Sequence, residues 1–385
     1  MLFRNFWRLM KRTMKIKAGL KFTVAVLLCA GLVFGAVSCG NGDTTPVVME
    51  LDGAEVTAAM YHYWASSAKG SYIYSYEDVT NTEDCWQQEL SEGLTVGEYF
   101  DSVTLETVKS NLVAMKLFED YNLKITSAEK KSVDDYISDL VKEYADGSEK
   151  MLDTVLSEYG INIKLLKTLY LEETKTTKVF DYLYGDGGRK ALSDSDYEKY
   201  YNDSYVHFQL IYINDKYQYV TDEKGNNVTD EDGYYKTEEL DGEKKTEKEK
   251  KIASVESALA AGEDFYDLYE KYSELTEYEN GYYYPVNEAF TDEVFYQLTA
   301  AAQKAEKDEV VKVDTDSGTC FMLKLENDSG AWKKDQNSDF FDGFTETVKE
   351  NAFRETLRGY FDDITVDTDA IAEFSVTKVT PSYTF

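Results

Sequence analysis

The chain has 385 residues, of which 43% are hydrophobic and 14% aromatic, and it carries a formal net charge of −32. This length and apolar content suffice for two domains with sizeable cores, which excludes disorder through most of the chain. Because so acidic a protein would repel a phosphate backbone, nucleic acid is excluded as a partner.

The N-terminus has the pattern of an export signal. Seven basic residues precede an uninterrupted apolar run from Phe22 to Ala36, which is too short to span a membrane comfortably. We therefore predict that residues 1–38 are a signal peptide that is removed. Without those seven basic residues, 34 basic residues face 73 acidic ones, which gives a formal net charge of −39.

A cysteine follows the apolar run directly. The four residues from Ala36 to Cys39, and the polar segment after them, resemble the lipobox of bacterial lipoproteins. The resemblance implies that Cys39 is diacylated, that residues 39–46 form a tether, and that the protein is held on the extracytoplasmic face of a bacterial membrane. An ordinary cleaved secretory signal is the alternative. Cys85 and Cys320 are then the remaining thiols, too few for a disulfide framework.

Residues 47–203 are predicted to be mainly helical. After a short strand and turn, apolar residues recur at helical spacing in several segments, and Thr126 and Glu129 form a capping box at the start of one of them. The predicted helices lie near residues 60–64, 105–121, 127–144, 152–159 and 163–183. The glycines at 185–188 end the last of these, and without a preceding strand or a following Lys-Ser/Thr they do not form a phosphate-binding loop.

Residues 204–327 combine strands and helices. A strand is predicted at Val206 to Ile213, and a helix over 251–265 with Gly262 as its stop signal. A second helical turn, the tyrosine tract at 282–284 and the segment 290–295 follow, and two strands at 309–313 and 320–325 close the unit. The charged insertion 214–250 is predicted to form a solvent-facing hairpin.

This order of elements resembles the parvulin (PpiC-type) peptidyl-prolyl isomerase domain, and the helix that continues through Ala-Gly-Glu-Asp-Phe into Lys-Tyr-Ser-Glu is its most specific part. Parvulins line their proline pocket with two histidines and a cysteine or aspartate. Aligned residue by residue, those positions fall at Leu210, Leu275 and Phe321, so no catalytic residue is assigned. His207 alternates to the opposite strand face from Leu210, and we predict that it is exposed or faces the sheet edge.

The apolar wall of the pocket is better preserved. Phe290 and Val294 stand where the family has the side chains that clasp the proline ring. The predicted substrate-binding residues are Phe290, Val294, Phe321, Tyr282 and Tyr283. Because rotation about a peptide bond is opposed mainly by amide resonance, an apolar pocket without polar groups still permits weak isomerase activity.

No metal or cofactor is expected. Part of the insertion fits a calcium loop through Asp230, Asp232, Gly233 and Glu239, but Val228 stands at the first ligand position, which needs an oxygen donor. The two histidines, His62 and His207, have no metal-ligand spacing.

The whole arrangement resembles the SurA/PrsA foldases, in which a helical chaperone domain carries a parvulin domain and a C-terminal helix returns to the helical part. The implied fold class is α+β, with an inserted parvulin-like βα domain around a small antiparallel sheet. Residues 328–385 would supply the returning helix, near 341–357, and strands over 364–379.

The implied function is an extracytoplasmic foldase or chaperone, anchored through Cys39, that binds unfolded or partly folded secreted polypeptides. Two alternatives stay open. One is an active peptidyl-prolyl cis-trans isomerase, and the other is a non-catalytic lipoprotein that binds a peptide or a dedicated partner.

Overall fold

A computed structural model describes residues 45–75, 79–222, 224, 226–229, 235–286 and 293–382. The predicted signal peptide, Cys39, Phe290 and most of the candidate calcium loop lie outside these residues. Within them, no helix is both long and apolar enough to cross a membrane.

The described residues form helices and short antiparallel sheets. The helices are α1 (Ala58–Ser75), α2 (Glu83–Gln87), α3 (Val96–Asp120), α4 (Ser127–Tyr144), α5 (Glu149–Leu156), α6 (Ile163–Tyr184), α7 (Asp194–Ser204), α8 (Gly242–Ala260), α9 (Phe265–Tyr272), α10 (Glu293–Lys304), α11 (Phe344–Arg358) and α12 (Thr368–Ile371). The strands are β1 (Val47–Leu51), β2 (Ala54–Thr57), β3 (Glu89–Ser91), β4 (Leu94–Thr95), β5 (Tyr205–Ile213), β6 (Tyr217–Tyr219), β7 (Thr237–Glu239), β8 (Tyr282–Pro285), β9 (Val310–Thr315), β10 (Gly318–Leu325) and β11 (Thr365–Val366).

The chain divides into two compact units. The first comprises the described residues up to Ala191 and those from Lys349 onward, and the second runs from Leu192 to Val348. The predicted boundaries, 203/204 and 327/328, differ from these because flanking residues pack within the second unit. Tyr201 on α7 and Phe341 share an aromatic cluster with Tyr283 of the sheet.

The first unit is helical, with a three-stranded sheet in the order β11-β1-β2 and a two-stranded sheet of β3 and β4. Asp52 and Gly53 connect β1 to β2 with φ angles of 47° and 85°, as a tight hairpin turn with two left-handed residues requires. Helices α3, α4 and α6 pack around buried aliphatic side chains such as Leu112, Leu140 and Leu169.

A local signal marks the start of α4 where the sequence predicts it. The capping box at Thr126 is present, with the Glu129 backbone N–H donating to Thr126 Oγ1 over 3.2 Å and the Thr126 N–H donating to Glu129 Oε2 over 2.6 Å. A second capping box at Thr95 begins α3 nine residues before the predicted start at 105. The spacing of apolar residues alone does not predict that residues 96–104 belong to this helix.

The C-terminal segment corrects one prediction. Strands were expected over 364–379, but only Thr365 and Val366 form a strand. Asp367 then caps a helical turn by accepting a hydrogen bond of 3.0 Å from the Ala370 backbone N–H. Val376 and Val379 are buried, but the segment that carries them is not a strand.

The second unit is built on a four-stranded antiparallel sheet in the order β8-β5-β10-β9. Helices α8 and α9 pack on one face and α10 on the other. The central strand β5 is buried along most of its length, as its apolar sequence predicted. Gly262 has a φ of 80° and ends the α8 region, while Asp264 caps a separate helix, α9.

The insertion is a hairpin only in part. β6 pairs with β7, as expected, but α8 begins at Gly242, inside the segment predicted to be a solvent-facing hairpin. Asp241 caps this helix by accepting hydrogen bonds from the backbone N–H groups of Glu243 and Lys244. The charged residues up to Lys250 therefore form the exposed first turns of a helix.

Candidate functional site

The site predicted from the sequence lies on the two central strands, β5 and β10. Leu210 pairs with Met322, so both side chains lie on the face covered by α10. Leu210 is 2% exposed and packs in one cluster with Phe208, Tyr282 and Leu298. At this position the side chain fills a closed apolar core.

Phe321 lies on the opposite face of the sheet. It pairs with Ile211 and packs beneath α8 and α9 against Val255 and Leu268. Leu275 is 39% exposed, in the loop after α9. The three positions aligned with the family's polar residues therefore do not surround one pocket.

The strand register explains why Leu210 and Phe321 lie on opposite faces of the sheet. Side chains alternate between the faces of a strand, so only every second residue of β10 lies on the Leu210 face. Those residues include Cys320 and Met322. Phe321 therefore lies on the face opposite Leu210, together with Ile211 and the buried Gln209.

Cys320 also lies on the Leu210 face. Its thiol is a potential nucleophile, and it is not among the site residues that the sequence predicts. Cys320 is 1% exposed. Burial, reinforced by the nearby carboxylates of Asp215 and Asp314, raises the pKa of the Cys320 thiol to about 12. Since the thiolate is the nucleophilic form, this cysteine is inert at neutral pH. Cys85 and Cys320 both carry free thiols.

His207 lies on the face opposite Leu210, as predicted, but it is buried rather than exposed. Its Nδ1 atom is 2.8 Å from the carbonyl oxygen of Glu326, and its Nε2 atom is 2.7 Å from that of Asn280. The ring stacks on Tyr283 with centroids 4.1 Å apart. The ring therefore lies between backbone carbonyl groups of two loops, on the face of the sheet opposite Leu210.

The predicted substrate-binding residues that the structure describes are divided between the two faces of the sheet. Tyr282 and Val294 belong to the cluster under α10, where Tyr282 stacks on Phe208. Tyr283 and Phe321 lie on the other face and are 1% and 2% exposed. The arrangement brings Tyr282 and Val294 together and separates them from Tyr283 and Phe321.

An open groove lies elsewhere in this unit, between α10 and the edge strand β9. Its volume is about 580 Å³. Tyr296, Ala300 and Ala301 line it from the helix, and Val311 and Val313 line it from the strand. Tyr296 is 60% exposed. The groove is apolar in its middle and carries Lys304 and Glu309 at one end and Asp314 at the other.

Over the parts of the chain that the structure describes, no three His, Cys, Asp or Glu side chains are grouped to hold an ion. Most of the candidate calcium loop falls outside those parts, so that interpretation rests on Val228 in the sequence alone.

Comparison with known proteins gives limited information. No protein-family model matches the chain, and no curated protein matches it. Solved structures that do match include PrsA from Bacillus subtilis, with 19% identity over 76% of this chain and 91% of that one, at a TM-score of 0.21. The PrsA peptidylprolyl isomerase from Bacillus cereus matches with 16% identity over 76% and 98% of the two chains, at 0.26.

The foldase protein PrsA from Lactococcus lactis covers more of the chain, 86%, and 98% of its own length, with 11% identity and a TM-score of 0.21. These three matching structures are all PrsA proteins, described as foldases or peptidylprolyl isomerases. TM-scores of 0.21 to 0.26 are too low to show that this chain shares their overall arrangement.

Proposed function

We propose that this protein is a foldase or chaperone of the SurA/PrsA type that acts on unfolded or partly folded secreted polypeptides, tethered through a lipid on Cys39. In this proposal the first unit is the helical chaperone domain and the second is a parvulin-shaped domain. Its order of elements, β5-α8-α9-β8-α10-β9-β10, is the order that the parvulin resemblance implies.

The observation that carries the proposal is the closed core around Leu210. The face under α10, on which Leu210 lies, holds packed apolar side chains and an inert thiol. His207 lies on the other face, with its ring between two backbone carbonyl groups. We infer that prolyl isomerase activity is weak or absent and that the domain serves as a scaffold for binding.

Exposed apolar residues of the first unit support client binding. Tyr74, Leu90 and Tyr99 are 54%, 52% and 38% exposed. Tyrosine combines a large apolar ring with a polar tip, which suits contact with many unrelated polypeptides.

Two assays test the proposal. At stoichiometric excess, the protein should suppress aggregation of a chemically unfolded model protein, and failure to do so would contradict the chaperone function. Isomerisation of a short Xaa-Pro peptide should be close to the uncatalysed rate. Clear acceleration that is lost in Val294→Ala would instead favour the active isomerase.

The lipid anchor is tested separately. Mass spectrometry of the membrane fraction should find the N-terminal peptide starting at a diacylated Cys39, and Cys39→Ser should release the protein. A soluble protein cleaved elsewhere would favour the ordinary secretory signal.

A further inference from the structure

The C-terminal tail, residues 375–382, lies against the helices α1 and α3 of the first unit. It forms neither a helix nor a strand. Val376, Val379 and Ser382 are buried, and most residues between them are exposed. Because the buried residues are three positions apart, the tail presents one row of side chains to the helices, in the way that a bound peptide does.

Two charged side chains bind the main chain of the tail. The Nζ atom of Lys69 on α1 donates a hydrogen bond of 2.8 Å to the carbonyl oxygen of Val379. The Oδ1 atom of Asp101 on α3 accepts a hydrogen bond of 2.8 Å from the backbone N–H of Val376. Since every residue except proline offers the same backbone groups, these two bonds do not depend on the sequence of the tail.

Helix α1 lets the main chain of the tail approach closely. The Ser382 backbone N–H donates to the carbonyl oxygen of Ser66 over 2.9 Å. A Cβ atom at Gly70 would lie 1.6 Å from the Ser382 carbonyl oxygen, so only glycine leaves room for the tail there. The Oγ atom of Ser66 is buried and has no hydrogen-bond partner in the described part of the chain. The tail therefore does not satisfy every polar atom of the residues that hold it.

The apolar contacts of the tail are few. Val376 packs in one cluster with Trp86 and Phe100, and Val379 is the second buried valine. The surface that holds the tail is named the tail site below, and it consists of Ser66, Lys69 and Gly70 on α1, Trp86 on α2, and Phe100 and Asp101 on α3.

Charge distinguishes the tail site from an ordinary core. Burial lowers the pKa of Lys69 and raises that of Asp101, and the attraction between the two charges offsets part of each shift. Apolar side chains would hold a permanent segment at a lower desolvation cost. A cation and a carboxylate that bind peptide groups are instead suited to hold one polypeptide segment in exchange for another.

We propose that the tail site is a binding site for unfolded polypeptide, and that the tail is its resident occupant, which a client displaces. The client segment would carry apolar residues three positions apart, like Val376 and Val379, and Lys69 and Asp101 would bind its main chain. This inference rests on the proposed function, since it names where a client is held and what fills that site without one.

The tail itself provides the probe, as a fluorescent peptide of residues 375–382 added to the full chain. Val376→Ser/Val379→Ser removes the anchors of the attached tail and keeps every residue of the tail site. Its dissociation constant for the peptide should be at least about tenfold below that of the wild type, because more molecules then have a vacant site. Thr377→Ser/Thr380→Ser, at exposed positions, should match the wild type. Equal dissociation constants in all three proteins would overturn the proposal.

Main-chain recognition is tested with two altered peptides. An ester in place of the amide before Val376 removes the N–H that Asp101 accepts, and should weaken binding to Val376→Ser/Val379→Ser by about tenfold. An ester before the exposed Thr377 is the matched control. Equal weakening by the two esters would contradict binding through the main chain.

Hydrogen exchange of the wild-type chain tests displacement even if the double variant does not fold. The Val376 and Ser382 amides are hydrogen-bonded to Asp101 and Ser66. A saturating, permanently unfolded protein with reduced and alkylated cysteines should speed exchange over residues 375–382 by about tenfold and leave β10 unchanged. Unchanged exchange of the tail while this client is bound would overturn the proposal.

The aggregation assay separates this proposal from the proposed function. Suppression of aggregation with unchanged exchange of the tail would overturn the tail site as the place of binding and leave the foldase function standing. Peptide binding by Val376→Ser/Val379→Ser without suppression of aggregation by any of the proteins would overturn the foldase function. The client would then be overturned as an occupant, and the site would hold the tail alone.

Discussion

The Nζ atom of Lys69 donates a hydrogen bond of 2.8 Å to the backbone carbonyl oxygen of Val379. Lys69 lies on α1 and is 3% exposed, and its Nζ atom is 5.6 Å from the ring centre of Trp86. Asp101 on α3 holds the same tail by accepting a 2.8 Å hydrogen bond from the Val376 backbone N–H. A buried cation and a carboxylate therefore fasten the C-terminal tail to the first unit.

Lys69→Met should lower the free energy of unfolding by about 1–3 kcal/mol, because it leaves a buried carbonyl without its donor. Denaturant unfolding followed by circular dichroism provides the measurement. Lys142→Met is the matched control, since that side chain is 68% exposed, and its effect should be near zero. A similar loss in both variants would mean that the Lys69 bond contributes nothing specific.

Gly70→Ala should destabilise the protein although alanine normally favours a helix. A Cβ atom at Gly70 would lie 1.6 Å from the carbonyl oxygen of Ser382, so the tail would have to move. At Gly242, where no atom lies within 4 Å of the added carbon, alanine should be neutral or stabilising by up to about 1 kcal/mol. Opposite signs in thermal unfolding are expected, and stabilisation at both positions would contradict the close approach of the tail.

Glu172 on α6 should make the stability depend on pH. It is 2% exposed, and burial raises the pKa of its carboxyl to about 8 from a usual 4.5. Between these values the folded state keeps a proton that the unfolded state has lost, so stability falls as pH rises through that window. Urea unfolding midpoints should accordingly be higher at pH 5 than at pH 8.

Glu172→Gln should remove most of the decrease in stability between pH 5 and pH 8. At pH 8 its free energy of unfolding should exceed that of the wild type by on the order of 1–3 kcal/mol. Some dependence of stability on pH should remain in this variant, because burial also raises the pKa of Glu173 to about 7. Glu158→Gln, at an exposed position, serves as the control. Identical pH slopes in Glu172→Gln and the wild type would rule out a buried neutral carboxyl.

Cys320 should resist alkylation in the folded protein. Its thiol is buried and has a pKa of about 12, whereas Cys85 is partly exposed. Iodoacetamide treatment followed by peptide mass mapping should modify Cys85 first, and Cys320 only after denaturation. Rapid labelling of Cys320 at neutral pH would indicate that the core around Leu210 opens.

Features set by neighbouring residues were predictable from the sequence. The capping box of Thr126 with Glu129, the strand from Val206 to Ile213 and the break at Gly262 all appear in the structure as expected. Each depends on hydrogen bonding or backbone preference within a few residues, so no distant part of the chain has to be known.

Features set by pairing between distant segments were not predictable. The face on which Phe321 lies depends on its register with Ile211, and a shift of one residue would reverse it. The burial of His207 depends on carbonyl groups of Asn280 and Glu326, which alternation along β5 does not reveal. Leu210 and Phe321 therefore lie on the two strands that the sequence predicts, but on opposite faces of the sheet.

Pairing between β1 and β11 bears on the order of folding of a chain that emerges N-terminus first. Met49 pairs with Val366, so the sheet of the first unit needs a strand that emerges near the end. The second unit lies entirely between these segments and has all of its own strands once Leu325 has emerged. Since domains fold as units, we expect the second unit to fold first. The N-terminal helices would then keep part of their apolar surface uncovered until the C-terminal strand arrives.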